Sequence, residues 1–70
     1  MKYRELARKL RRLGCEEVVA RGKGAHRGWY NPATNLFITV PYHGGKDLRI
    51  GLVWAALKQL GIDREQFEKA

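Results

Sequence analysis

Apolar residues recur at three- and four-residue spacing from the start of the chain, at Tyr3, Leu6, Leu10 and Leu13. That spacing makes one stripe on a helix, so residues 2 to 13 are expected to form an amphipathic helix stopped by Gly14. The pattern then changes period. Cys15 to Arg21 reads as a strand centred on Val18-Val19-Ala20, with Gly22-Lys23-Gly24 as a turn, and Ala25 to Tyr30 reads as a second strand. Asn31-Pro32-Ala33-Thr34-Asn35 is dense in turn formers, and Leu36-Phe37-Ile38-Thr39-Val40 is the clearest strand, closed by Pro41. Alternation puts Leu36, Ile38 and Val40 on one face and Phe37 and Thr39 on the other.

After a loop over 42 to 47, Val53, Ala56, Leu57 and Leu60 return to helical spacing. A second long helix from about Arg49 to Leu60 is expected, with Gly61 as its stop. Asp63 with Gln66 three residues on forms a capping-box pattern that opens a short last helix through Phe67. Short connections between consecutive strands imply an antiparallel meander. The expected fold is α+β: one domain in the order α-β-β-β-α with a short C-terminal helix, both long helices covering one face of a three-stranded sheet. Of Trp29 and Tyr30, neighbours on a strand, one must face the helices and be core. Trp54 falls outside the buried stripe of its helix and reads as a contact for a protein partner.

Charge changes the picture more than composition does. The 70 residues carry 14 Lys+Arg against 7 Asp+Glu, a formal charge of +7. Arginine, the better fork for phosphate oxygens, outnumbers lysine. Such a balance is the electrostatic footprint of nucleic-acid binding. On the first helix Lys2, Arg4, Arg8, Lys9, Arg11 and Arg12 stand against Glu5 alone, with Arg8 and Arg12 taken as RNA contacts. No apolar run approaches the ~18 residues of a membrane span. Met1-Lys2-Tyr3-Arg4-Glu5 lacks the apolar core of a signal peptide. With Cys15 as the only cysteine, a cytoplasmic protein without membrane contact is expected.

The candidate chemistry centres on Lys23-Gly24-Ala25-His26-Arg27. A neutral imidazole suits the removal of a ribose 2′-hydroxyl proton, while Lys23 and Arg27 flank it as phosphate ligands. The alternative is a histidine with a purely structural role. His43, just past the third strand, is a second candidate acid or phosphate ligand, because in a meander the exit of strand three can lie level with the entry of strand two. A loop histidine bonded to backbone is its bland counterpart. Lys46 adds a cation in the same loop. The chain has no serine nucleophile, no P-loop spacing, no paired carboxylates for two-metal catalysis and no paired Cys/His spacing for zinc, so neither metal nor cofactor is called for.

Several spaced motifs resemble the HicA-type toxins of bacterial and archaeal toxin–antitoxin modules. The Leu-Arg-Arg-Leu-Gly end of the first helix, Gly24-Ala25-His26, Val40-Pro41-Tyr42-His43 with Gly45-Lys46-Asp47-Leu48, and Gly51-Leu52 through Leu60-Gly61 occur in the family's order. The resemblance implies a double-stranded-RNA-binding-domain-like fold, cleavage of mRNA with His26 as the catalytic histidine, and neutralisation by a HicB-type antitoxin. Ala25 stands where the family motif has serine and Leu52 where it has threonine. The leading expectation is therefore a metal-independent mRNA interferase. The alternatives are a non-catalytic module that docks double-stranded RNA and a basic adaptor for an acidic protein. Oligomeric state is left open, a weak homo-oligomer included.

Overall fold

A computed structural model describes residues 1–18, 26–41 and 45–70, and for His26 the backbone alone. The order is α1 (Tyr3–Arg12), β1 (Glu16–Val18), β2 (His26–Asn31), β3 (Leu36–Pro41), α2 (Ile50–Gln59) and α3 (Arg64–Lys69). The sheet is an antiparallel meander in the order β1-β2-β3. The expected α+β architecture is thus the observed one. Residues 19–21 of the expected first strand, and the turn after them, lie outside the described residues.

Both long helices end as their glycines dictate. Gly14 and Gly61 adopt φ of 91° and 73°, and each ending closes with paired backbone bonds. Cys15 N–H reaches Leu10 O and Gly14 N–H reaches Arg11 O, while Ile62 and Gly61 do the same to Leu57 and Lys58. This pattern satisfies carbonyls that the helix leaves without partners, and glycine takes the left-handed φ without a Cβ penalty. The β2–β3 turn serves the second ending as well. Asn31 Nδ2–H and Thr34 Oγ1–H both donate to Leu60 O at 2.8 Å.

One face of the sheet is covered. Register pairs Trp29 with Ile38 and Arg27 with Val40, so these four side chains share the helix-facing side. Trp29, Val40, Leu6, Leu10 and Leu60 are fully buried there, with Val53 and Leu57 from α2 against them. The choice between Trp29 and Tyr30 is settled: Trp29 is core and Tyr30 lies on the open face, half-buried.

Helix α3 corrects the reading of Trp54. Its Phe67 is 1% exposed and meets the Trp54 ring edge-on at 6.2 Å, while the Arg64 guanidinium lies 4.0 Å from the Trp54 centroid. Lys9 of α1 reaches across to the same helix, 4.9 Å from the Phe67 ring. The indole is thus half-buried beneath the last helix. Period within α2 could place it off the stripe but could not show that α3 returns to cover it.

Candidate nucleic-acid interface

The flank of α1 facing the strand ends bears a groove of about 620 Å³. Arg4, Ala7 and Arg11, at positions i, i+3 and i+7, form one wall, with Lys2 and Tyr3 at its end. Glu17 of β1, Arg27 of β2 and Gly45 form the other. Ala7 is the small residue between two arginines, and the depression opens because its side chain stops at Cβ.

A hydrogen-bonded chain makes the floor. Buried Trp29 donates Nε1–H to the Tyr3 hydroxyl at 2.9 Å, and that hydroxyl donates to Glu17 Oε2 at 2.6 Å. Arg11 Nη2–H meets Glu17 Oε1 at 2.9 Å, with its guanidinium 5.4 Å from the Trp29 ring. Burial, and then the Glu17 hydrogen bond, push the Tyr3 phenol far above its ordinary value, so it stays a neutral donor. Cys15 is a core residue, and burial raises its thiol too, favouring the protonated form.

The cations divide by partner. Arg11 is held by Glu17. Lys2 donates to Gly45 O and lies 3.8 Å from Asp47, while its backbone bridges Asp47 and Leu48 N–H reaches Met1 O at 2.7 Å. These contacts pin residues 45–48, including exposed Lys46, to the start of α1. Arg4, Arg8 and Arg12 are exposed with no ion-pair partner among the described residues. Spaced by four, they form a stripe about 12 Å long on α1.

Of the residues taken from sequence, Arg27 lines the groove, and Arg8 and Arg12 lie on the stripe beside it. Lys46 follows Gly45 at the groove's edge. Lys23 and His43 lie outside the described residues. His26 opens β2 and its backbone pairs with Pro41, the last residue of β3. Strand three therefore does exit level with the entry of strand two. Sequence reasoning selected Arg8 and Arg12 over Lys2, Arg4 and Arg11; the signal for the latter was Ala7, set between two arginines on the edge of the apolar stripe.

The sequence model of the HicA toxin of bacterial toxin–antitoxin modules matches residues 3–62, spanning α1 to the end of α2, and the chain belongs to this family. No curated protein and no solved structure matches the chain at a significant level. The protein is thus the toxin side of a toxin–antitoxin pair, and its last helix lies past the matched region.

Proposed function

We propose that this protein is an endoribonuclease that cleaves mRNA without a metal. His26 removes the 2′-hydroxyl proton, the freed oxygen attacks the adjacent phosphorus, and the 5′-oxygen leaves with a proton supplied by His43. Arg27 and Lys23 hold the phosphate as charge builds on its oxygens. Arg8, Arg12 and Lys46 bind the flanking backbone. A HicB-like antitoxin holds the toxin inactive in the cytoplasm.

The observation that carries this reading is the cationic groove at the end of β2. Arg27 lines it from the helix-facing side of the sheet, and His26 precedes Arg27 in the backbone where β2 begins. The test is a long RNA incubated in EDTA with wild-type protein or with His26→Ala. Products with 5′-hydroxyl and 2′,3′-cyclic phosphate ends are expected from wild type, with a loss of roughly 10²- to 10⁴-fold on removing the base. A requirement for Mg²⁺, or undiminished cutting by His26→Ala, would overturn the mechanism.

The Arg4–Arg8–Arg12 stripe favours a second reading, docking of duplex RNA by phosphate contacts alone. That reading expects salt-sensitive binding with intact RNA recovered, and greater dependence on the stripe than on His26.

A further inference from the structure

The sheet face turned away from the helices carries Glu16, Val18, Gly28, Tyr30, Phe37 and Thr39. Phe37 is 55% exposed, yet its ring does not stand off the sheet. A Cβ on Gly28 would lie 2.8 Å from Phe37 Cζ and 3.0 Å from Cε2. Gly28 pairs with Thr39, not with Phe37, so the ring is laid diagonally from β3 onto the β2 backbone. Glycine is what admits it. Beside it, in the position directly opposite Phe37, the Tyr30 ring is fixed by a 2.6 Å hydrogen bond from its hydroxyl to Asn35 Oδ1.

We propose that Phe37 is a stacking platform for an unpaired RNA base, which sets the nucleotide next to the bond that is cut. The inference rests on the ribonuclease reading for its role in cleavage. An exposed aromatic ring resting on a sheet is the arrangement by which single-stranded bases are held, since every base offers a π-face. Gly28, on which the ring rests, is two residues from His26, roughly 6.6 Å along the strand. A base on Phe37 therefore brings its ribose toward the sheet end where β2 begins. The occupant is set by net charge: a chain of +7 attracts a polyanion, while the cationic groove lies on the other, helix-facing side of the sheet.

The test uses His26→Ala protein, which leaves the RNA intact, and a single-stranded oligonucleotide with 2-aminopurine walked along its length. Binding is expected to quench the fluorophore at one position. Phe37→Tyr keeps the quench, whereas Phe37→Leu and Phe37→Ala lose it and bind about tenfold more weakly. Leucine is the deciding variant, because an apolar surface meant for a protein partner would accept it as readily as phenylalanine. Equal binding and quenching by Phe37→Leu, or no quench at any position, overturns the proposal. Circular dichroism of each variant confirms folding. Cleavage by wild type in EDTA is scored separately: quenching without cleavage sinks the nuclease and keeps the platform, and cleavage with a Phe37→Leu variant unchanged does the reverse.

Discussion

Trp29 donates its indole N–H to the Tyr3 hydroxyl at 2.9 Å, joining the centre of the sheet to the first turn of α1 beneath the groove. The same hydroxyl donates a hydrogen bond to Glu17 Oε2. One phenol thus ties the core to the charged floor, and groove shape and stability are coupled through it.

Tyr3→Phe leaves the buried Trp29 N–H without an acceptor, and should cost about 1–3 kcal/mol in chemical denaturation. The pH dependence follows from the raised phenol. An acid whose folded pKa exceeds its unfolded value stabilises the fold fully below the unfolded value, near 10 for tyrosine, and loses that contribution as pH rises further. In wild type, one of the three tyrosines should form phenolate only as the chain unfolds, followed by its ultraviolet absorbance. In Tyr3→Phe that late step should vanish.

Among the described residues, Glu17 is the one carboxylate lining a groove otherwise rich in cations. Glu17→Gln keeps an oxygen for Tyr3 or Arg11 but removes the charge that holds Arg11. RNA should bind roughly two- to fivefold tighter, as expected for a unit charge removed ~8 Å from a phosphate in high dielectric. The slope of log K against log salt should steepen as Arg11 becomes available to phosphate, by about 0.7 for a single strand. Weaker binding in a filter or anisotropy titration would show that Glu17 itself contacts the RNA.

Arg4→Ala, Arg8→Ala and Arg12→Ala should each reduce affinity for every RNA tested by a similar factor, with the salt slope falling by about 0.7–0.9 for each phosphate no longer neutralised. Thermal stability should be little changed, since all three are exposed and lack ion-pair partners among the described residues. Lys9→Ala is the contrast. Its ammonium is committed to Phe67 and to that residue's carbonyl, so it should affect stability more than RNA binding.

Gly28→Ala tests the close approach of β2 to Phe37. Alanine in a strand ordinarily gains about 0.5–1 kcal/mol over glycine. Here the new methyl meets the Phe37 ring at 2.8 Å and Val18 O at 3.0 Å, and backbone cannot swing away. Overpacking of about 1–3 kcal/mol should win, lowering the denaturation midpoint. Adding Phe37→Ala should recover part of that stability and leave the part due to Val18 O.

Phe67 lies past the region shared with the family yet is as buried as the central core. Phe67→Ala should destabilise the fold by about 3–5 kcal/mol. Removing the ring that faces Trp54 should shift indole fluorescence to the red as water reaches it. An unshifted spectrum with native stability would mean that α3 does not stay docked in solution.

Local rules in the chain determined the element order, both helix stops at Gly14 and Gly61, the inward face of β3 and the excess of cations, because period, φ preference and charge are properties of neighbouring residues. The family could also be read from spaced motifs. Tertiary packing decided what those rules leave open. It chose Trp29 over Tyr30 for the core, closed α3 over Trp54, and drew Arg11 into a bond with Glu17 while leaving Arg8 and Arg12 in solvent. Helical period says which cations avoid the apolar stripe. Which of them face a groove depends on the strand ends packed beside the helix, and those are brought there only by folding.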